Sequence, residues 1–511
     1  MDDAFALLME ANKKNKGRKL KSSVTVVGKG NELLPNKVFQ FDDEVNSENL
    51  FIEDDMRSGH VGCFGTTRVG KTKLIENLIS QDIAKGYNVV VIDPKGDHEL
   101  LCRIVQTCME YGRIEDLMML TPIFPNCSMR MNPLSTFYME DELVDHVISG
   151  IKSKEDYYIA IATSVTQAIV EGLLLDAEYT RQKPQINFYE IRTRADHKSL
   201  EKFRGQFTDR TNPRSKELTA ALSQLLAAPP DFYSKVSSSL LTTLRALTTG
   251  NVGIIIGKVF ENEFLSRIER KQGVVLFCNT GSLLARRTAH IVGKVIVSSI
   301  QSLVGRRLAS GKKLDIPITL HIDEAHCIMY KGIQELFNKC GGGNVWVHIY
   351  TQSIAQIIDE IGEESAISIL DNINTWIYML VNHPETAKYI EEASPEVRQF
   401  EPTFRFDAGL MIRSDLAPMI TSQQLLSLKR RQFFMRHYGR FYYGKTIDVK
   451  PLLINIEYPQ LQQQDLEDLP KMADNSGREV AQDNESPEAA AIASSKEQHA
   501  EQDPSCGNYS I

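Results

Sequence analysis

Three features that would each indicate a particular class of protein are missing from this 511-residue sequence. No run of 18 apolar residues occurs, and the first residues lack the charged-then-apolar pattern of a signal peptide. We therefore expect neither a membrane-spanning helix nor secretion. The eight cysteines are scattered without C-x-x-C spacing, which favours a reducing compartment and argues against a zinc site. Together these absences predict a soluble, cytoplasmic protein.

An excess of basic residues is missing as well, since the net charge is −8 at pH 7. The negative charge is concentrated in residues 458–511, where eleven Asp/Glu stand against three Lys/Arg. That imbalance equals the charge of the whole chain, so the remaining body is neutral and leaves room for basic surfaces. The same segment has few aromatic residues and no apolar runs, which predicts a disordered acidic tail.

What the sequence does contain is GTTRVGKT at residues 65–72, the G-x-x-x-x-G-K-[ST] pattern of a phosphate-binding loop. Such a loop needs a strand before it and a helix after it. His60 to Phe64 is a short apolar run, and apolar residues then recur at helical spacing from Leu74 to Ile83 before Gly86. Residues 87–93, YNVVVID, follow as a buried parallel strand. The context therefore predicts a βαβ unit whose helix opens at the glycine loop.

In that geometry the backbone amides of the loop and the positive end of the helix attract phosphate. Lys71 would reach the β- and γ-phosphates of ATP, and the hydroxyl of Thr72 would hold Mg²⁺. The predicted nucleotide-binding residues are Gly65, Thr66, Thr67, Arg68, Val69, Gly70, Lys71 and Thr72.

A second apolar strand, residues 318–322, ends in the paired acids Asp323 and Glu324. We predict that Asp323 supports the magnesium ion and that Glu324 polarises the attacking water. A third strand, residues 345–350, is followed by Gln352, which would face the same crevice and sense the γ-phosphate. His321 and His348 lie inside these strands, and we interpret both as structural.

The periodicities divide the chain into five predicted parts. Residues 1–58 form a basic N-terminal arm and edge strands. Residues 59–135 and 271–457 are the two parts of an ATPase core, and residues 136–270 are an inserted all-α domain. The tail completes the chain. The arm itself is a solvated start, a phosphate-touching segment or a helix on an anionic membrane surface.

Five segments together resemble the type IV coupling proteins, the TraD-like conjugative motors of the FtsK/HerA superfamily. They are GTTRVGKT, VVVIDPKGD at 89–97, HIDEAH at 321–326, YTQSIAQI at 350–357 and NHPETAKYIEEA at 382–393. The resemblance implies a RecA-like P-loop ATPase core with a mainly parallel sheet and an all-α domain inserted in it. Lys71, Thr72, Asp323, Glu324 and Gln352 match the family's ATP and Mg²⁺ positions.

The resemblance also implies a homo-hexameric ring that threads DNA and delivers a relaxase-bound strand to a type IV secretion channel. Members usually begin with two membrane-spanning helices, and the sequence shows none. Attachment at the inner face of the cell membrane, a peripheral association, would then need partners or the basic arm. Arg68 and Val69 replace small residues of the family's loop at positions that the pattern leaves free.

Another departure concerns the arginine finger, which relatives often place shortly before the strand that leads to the sensor glutamine. Here that stretch reads NKCGGGN, residues 338–344, with Lys339 as its one cation. Arg286 and Arg287 are the candidates that we assign as a catalytic finger acting in trans; the other interpretation is a pair of solvated charges at a helix start.

Residues 429–446, KRRQFFMRHYGRFYYGKT, mix arginines with aromatics. They predict either a single-stranded nucleic-acid contact or, as we favour, a hairpin at the edge of the sheet with its basic side exposed. For the whole chain, a DNA-stimulated motor ATPase is the first hypothesis. The alternatives are a HerA- or FtsK-like DNA pump outside conjugation and a nucleotide-gated docking platform for protein cargo.

Overall fold

The computed structural model describes residues 2–34, 48–152, 155–208, 210–405 and 409–459. Within these ranges the chain forms an 11-stranded sheet and a separate two-stranded sheet. The KVFQF stretch at 37–41 and the predicted acidic tail beyond residue 459 lie outside the described residues. The strands are β1 (Val24–Glu32), β2 (Glu48–Glu53), β3 (Val61–Phe64), β4 (Asn88–Asp93), β5 (Leu117–Leu120), β6 (Val275–Asn279), β7 (Ile318–Ile322), β8 (Val345–Thr351), β9 (Thr375–Tyr378), β10 (Glu396–Arg405), β11 (Gly409–Pro418), β12 (Gln432–His437) and β13 (Arg440–Thr446).

Helices cover both the core and the segment inserted in it. They are α1 (Asp2–Lys14), α2 (Lys71–Lys85), α3 (His98–Glu110), α4 (Glu140–Ser149), α5 (Asp156–Thr180), α6 (Phe188–Arg192), α7 (His197–Gly205), α8 (Pro213–Leu226), α9 (Pro230–Val236), α10 (Ser238–Thr248), α11 (Gly250–Val252), α12 (Glu263–Glu269), α13 (Ser282–Ala309), α14 (Gln334–Lys339), α15 (Ile354–Ile361), α16 (Glu363–Asp371), α17 (Pro384–Glu392) and α18 (Ser422–Ser427).

The middle of the large sheet is parallel, in the order β9, β3, β8, β7, β4, β6, β5. Every residue of β3, β4, β6, β7, β8 and β9 is buried. Continuous apolar strands of this kind are typical of a parallel sheet covered on both faces. Because the strands run the same way, their carboxyl ends share one edge, and the loops that follow β3, β7 and β8 meet there.

The parallel sheet continues into antiparallel strands on one side. β12 pairs with β9, β13 pairs with β12, β1 pairs with β13, and β2 pairs with β1. The predicted hairpin around Gly439 is therefore present as β12 and β13, but its position at the sheet edge was wrong. β2 holds the edge because the N-terminal strands add to the far side of the hairpin.

All helices from α4 to α12 lie in sequence between β5 and β6. This arrangement confirms the predicted α/β class with an inserted all-α segment, and the boundaries at 136 and 270 stay predictions. Helix α5 carries the broad apolar stripe, and Val165, Ile169 and Val170 are buried in the hydrophobic core. Among the described residues, α5 is long and apolar enough to span a membrane, but half of its apolar window is buried in protein. The bent pair α10 with residues 250–257 passes the same length and composition test only if counted as one span.

The basic N-terminal arm contains α1, which packs against α3. After α1, the side chain of Asn15 donates to the carbonyl of Glu110 at 3.0 Å, and Lys16 forms an ion pair with Glu115 at 2.8 Å. Part of the basic run therefore contacts the core of the same chain.

Candidate nucleotide site

The P-loop follows β3 and is fixed to the neighbouring strands through its backbone. The Gly65 N–H donates to the carbonyl of Thr351 at 3.1 Å, and the Thr66 N–H donates to the carbonyl of Leu380 at 2.8 Å. Arg68 and Gly70 have positive φ of 63° and 117°, the left-handed region that glycine adopts without strain. The loop therefore has a defined shape, with α2 beginning at Lys71.

The outer side of the loop is covered by Arg431, which directly precedes β12. Its N–H donates to the carbonyl of Val69 at 2.7 Å. A Cβ at Gly70 would lie 3.0 Å from the Cγ of Arg431, so the close approach as well as the positive φ favours glycine. The guanidinium of Arg431 donates to the carbonyls of Thr446 and Ile447 at 2.9 and 2.7 Å, beyond the end of β13.

Lys71 is buried, and its Nζ donates to the carbonyl of Gly65 at 2.6 Å. Burial lowers the pKa of Lys71, and the nearby carboxylates of Glu324 and Asp323 partly offset that effect. The carbonyl of Gly65 is the one hydrogen-bond acceptor of the ammonium group in the part of the chain that the structure describes. The group thus lies in the loop as a phosphate-binding lysine requires. Thr72 follows it in the first turn of α2.

Asp323 and Glu324 follow β7 at the shared edge of the sheet. The Asp323 N–H donates to the carbonyl of Ile92 in the neighbouring β4 at 3.0 Å. Burial, reinforced by the negative charges of Asp93 and Glu324, raises the pKa of the Asp323 carboxyl to about 6. A divalent cation would stabilise the ionised form of a carboxyl in such surroundings.

Glu324 is held by one cation and one side-chain amide, which come from two other segments. Its backbone is left-handed, with φ 45°, and its carboxylate forms an ion pair with the ammonium of Lys95. The side-chain amide of Gln352 donates to both carboxylate oxygens, at 3.1 and 3.2 Å. Burial opposes ionisation of Glu324, but the hydrogen bond and charge of Lys95 outweigh it, so the pKa is lowered. The structure thus brings the predicted pair Glu324 and Gln352 into contact.

Lys95 was not among the residues assigned from sequence. It belongs to the DPKGD segment after β4, where the buried Asp93 accepts backbone N–H groups from Lys95, at 2.9 Å, and from Asp97. This turn directs Lys95 towards Glu324. The available signal was the position of the segment at the carboxyl end of a buried strand, where side chains face the crevice.

His321 and His348 lie behind the site in a fully buried polar network. Asp82 of α2 receives a bidentate ion pair from Arg57, at 2.6 and 2.7 Å, and contacts Nε2 of His321 at 3.0 Å. His321 Nδ1 lies 3.1 Å from the hydroxyl of Tyr350, and His348 Nδ1 lies 3.2 Å from His321 Nε2. The network joins the helix of the P-loop to the strands that lead to Asp323 and Gln352.

Asp82, His321 and His348 have ligand atoms close enough together to suit a metal ion. Arg57 already supplies the positive charge there through its two bonds to Asp82. The geometry therefore agrees with the structural interpretation of both histidines.

Arg286 and Arg287 lie at the start of α13, after β6, and both are exposed. In the order of the sheet, β4, β7 and β8 separate β6 from β3, so the structure does not bring these arginines to the P-loop of the same chain. Residues 338–344, where relatives often carry the finger, leave no space for a side chain at Gly341, because a Cβ there would lie 2.2 Å from the carbonyl oxygen of Ser58. Lys339 forms an ion pair with Glu335 on the surface of α14.

The parallel sheet, the loop after β3, the acids after β7 and the glutamine after β8 together define a RecA-like P-loop ATPase core with an all-helical insertion. Comparison with family models gives the narrower class. The chain belongs to the family described as "Type IV secretory system Conjugative DNA transfer", whose model matches residues 4–397. This confirms the resemblance to coupling proteins drawn from the five sequence segments.

Solved structures show the same fold. The bacterial conjugative coupling protein TrwBΔN70, in an unbound form, has a TM-score of 0.63 and 16% identity, covering 88% of this chain and 93% of that chain. The plasmid coupling protein TrwB in complex with ADP and Mg²⁺ has a TM-score of 0.59 and 16% identity, with coverages of 80% and 89%. VirB4 of Thermoanaerobacter pseudethanolicus has a TM-score of 0.50 and 10% identity, with coverages of 84% and 98%. No curated protein sequence matches the chain significantly.

Proposed function

We propose that this protein is an ATP-driven DNA translocase that acts as the coupling protein of a conjugative type IV secretion system. The observation that carries the proposal is the position of Glu324, which Lys95 and Gln352 hold at the same sheet edge as the P-loop. A base for water activation needs a fixed orientation and an ionised state, and both contacts favour these.

The residues of the site suit a nucleotide with Mg²⁺. The buried Lys71 donates to a carbonyl that phosphate oxygens can replace, and a cation would stabilise the ionised Asp323 beside the charges of Asp93 and Glu324. We assign Lys71 to the β- and γ-phosphates and Thr72 and Asp323 to the magnesium ion. Bound Mg²⁺ neutralises charge on the phosphate oxygens during phosphoryl transfer. The TrwB complex with ADP and Mg²⁺, a protein of the same fold, supports this assignment.

In this proposal Glu324 orients and deprotonates the attacking water, and Gln352 keeps its carboxylate directed towards the nucleotide. The network behind them, from Asp82 through His321 to Tyr350, fixes α2 relative to β7 and β8. The network therefore keeps the P-loop and the residues that activate water in fixed positions relative to each other.

The load on this ATPase is DNA, a step that rests on membership of the conjugative DNA transfer family. We propose a homo-hexamer in the cytoplasm that receives relaxase-bound DNA and passes it to the secretion channel, reaching the inner face of the membrane through partners. Arg286 and Arg287 enter this proposal as phosphate-binding cations. Their phosphate comes either from a nucleotide on a neighbouring subunit, the finger role suggested by sequence, or from DNA.

Steady-state ATP hydrolysis with and without single- and double-stranded DNA, at low and moderate salt, tests the proposal. We expect stimulation by DNA that weakens as salt rises, because phosphate contacts release counterions. Glu324→Gln removes the base and should lower hydrolysis by about 10²- to 10⁴-fold. Glu335→Gln, an exposed glutamate on α14, is the matched control. Hydrolysis that is indifferent to DNA would overturn the translocase and favour the protein-docking platform.

A further inference from the structure

We propose that a second anion site, which binds DNA backbone phosphates, lies beside the segment that follows Glu324; this rests on the proposed function. The site is a cavity of about 430 Å³ between α13, α15 and the end of α4, referred to here as the basic cavity. Its charged and titratable lining includes Lys152, Arg286, Arg287, His290, Lys294 and Glu360.

The basic cavity has more positive charge than its own acid can neutralise. Four Lys and Arg side chains line it, against one carboxylate. Lys294 Nζ lies 2.6 Å from Glu360, and Lys152 also pairs with Glu360. Arg286 and Arg287 have no hydrogen-bond or ion-pair partner in the part of the chain that the structure describes. Unpaired guanidinium groups that share a cavity with two lysines are suited to phosphate oxygens.

The surroundings of His290 have the same excess of positive charge. Its burial, together with the positive charges of Lys294 and Arg286, lowers the pKa of His290 to about 4. The ring is therefore neutral at physiological pH and adds a hydrogen-bonding group to the cavity without another charge. An anion in the cavity would relieve the repulsion among the cations around it.

One wall of the cavity is formed by the residues directly after the proposed catalytic base. His326 and Cys327 line it, two and three positions beyond Glu324. His326 Nδ1 is buried, has no hydrogen-bond partner within the described ranges, and lies 3.7 Å from a carboxylate oxygen of Glu324. A ligand in the cavity would contact the short segment that also fixes the Glu324 backbone. The geometry thus provides a direct route by which DNA alters hydrolysis.

The shape of the site favours DNA over the nucleotide of a neighbouring subunit. An arginine finger projects from its own subunit into a neighbouring site. Arg286 and Arg287 instead share a cavity with Lys152, which follows α4, and with Lys294 of α13, and this cavity would receive a ligand. Leu283 and Leu284, just before Arg286, are 87% and 69% exposed and offer apolar surface for sugars or bases. Among the described residues, no Phe, Tyr or Trp lines the cavity, so we expect backbone recognition that tolerates any sequence.

The test is binding of a fluorescein-labelled oligothymidine to the full-length protein without nucleotide, so that hydrolysis plays no part. Anisotropy is measured between about 50 and 200 mM salt. The slope of log K against log salt is negative. If both arginines contact phosphates, Arg286→Gln with Arg287→Gln should reduce the magnitude of this slope by about 1.4. Lys152→Gln, which leaves Glu360 paired with Lys294, should reduce the magnitude of the slope by about 0.7.

Lys312→Gln with Lys313→Gln is the matched control, because it removes two exposed charges just past the other end of the same helix. It should leave the slope unchanged. A wild-type slope in all three cavity substitutions would overturn the DNA site, and lost hydrolysis in the arginine variant would then identify the phosphate as a neighbour's nucleotide. Failure of the wild-type protein to bind DNA would instead remove the translocase proposal itself.

Discussion

The side-chain amide of Gln352 bridges both carboxylate oxygens of Glu324, at 3.1 and 3.2 Å. The two residues follow adjacent parallel strands, β8 and β7, whose pairing aligns His321 with His348 and Ile322 with Ile349. The contact therefore follows from the register of the sheet. It gives Gln352 and Glu324, the proposed base, a common position at the edge of the sheet.

Replacing Gln352 by alanine should lower kcat while leaving nucleotide affinity near the wild-type value. The amide orients Glu324 but has no role in our assignment of phosphate or Mg²⁺ binding. A reduction of about 10- to 100-fold in kcat corresponds to about 1.4 to 2.7 kcal/mol of lost transition-state stabilisation. Steady-state kinetics and titration with a fluorescent ATP analogue separate the two quantities. Gln182→Ala, an exposed position after α5, is the control, and an equal loss of affinity and kcat would contradict the orienting role.

Lys71→Ala should abolish most nucleotide binding. The buried ammonium is the one side-chain cation that our assignment places on the β- and γ-phosphates, and charge-assisted hydrogen bonds of this kind contribute about 1.5 to 3 kcal/mol. We expect affinity for the fluorescent analogue to fall by about 10- to 100-fold. Lys73→Ala, two residues later, tests specificity, because Lys73 pairs with the buried Glu76 of α2 and with Glu99 of α3. Equal losses in both variants would argue against the assigned role.

Asp82→Ala should destabilise the whole core. Asp82 and Arg57 are both fully buried, and removal of the carboxylate leaves the guanidinium without its bidentate partner. Breaking a buried pair in this way costs about 3 to 5 kcal/mol. Urea denaturation at neutral pH measures it. Asp359→Ala on the exposed side of α15 should change the free energy of unfolding by less than about 0.5 kcal/mol, and a similarly small effect at Asp82 would show that Arg57 finds another partner.

His60 makes stability depend on pH. Its Nδ1 accepts the N–H of Val347 at 3.2 Å, and its Nε2 lies 2.9 Å from the carbonyl of Phe337. Both nitrogens are thus used in the neutral ring. Burial lowers the pKa of His60 from 6.5 to about 4, although the Phe337 carbonyl partly opposes this.

Between pH 6.5 and about 4, the unfolded chain binds a proton at this histidine that the folded chain does not. Stability from this group is therefore present at neutral pH and falls with acidification, by about 2 kcal/mol at pH 5. Urea titrations at pH 7.5 and 5 should show that His60→Gln loses less stability on acidification than the wild type. His383→Gln, at a half-exposed histidine, should keep the wild-type dependence; parallel pH profiles for wild type and His60→Gln would contradict the prediction.

Local sequence patterns were sufficient to predict the strands and the helix around the P-loop. The glycine spacing, the apolar run YNVVVID and the C-cap Gly86 each depend on neighbours in sequence, and Gly86 has φ 82° after α2. The acids after β7 and the glutamine after β8 were also predictable, because parallel strands bring their carboxyl ends to one edge. The family comparison confirmed the class that these motifs implied.

Relationships between distant segments were not predictable in the same way. The ion pair of Lys95 with Glu324 joins positions 229 residues apart, and no periodicity signals it. The hairpin was placed at the sheet edge because its own alternation cannot show that β1 will pair beyond it. Likewise, the sequence around Arg286 and Arg287 does not indicate that they will share a cavity with two distant lysines. These are Lys152, after α4, and Lys294 of α13.

Arg431 also has a mechanical consequence. Its backbone holds Val69 in the P-loop, while its side chain grips Thr446 and Ile447, where the chain leaves β13 towards its C-terminal segment. A displacement of that exit would therefore reach the phosphate-binding loop through Arg431 as well as through the sheet, because Thr446 is the last residue of β13. The chain beyond Ile447 is itself held on α3, where the Leu453 N–H donates to the side chain of Gln106 at 2.8 Å. The P-loop, the end of β13 and residues 447–457 are therefore linked by a continuous set of hydrogen bonds.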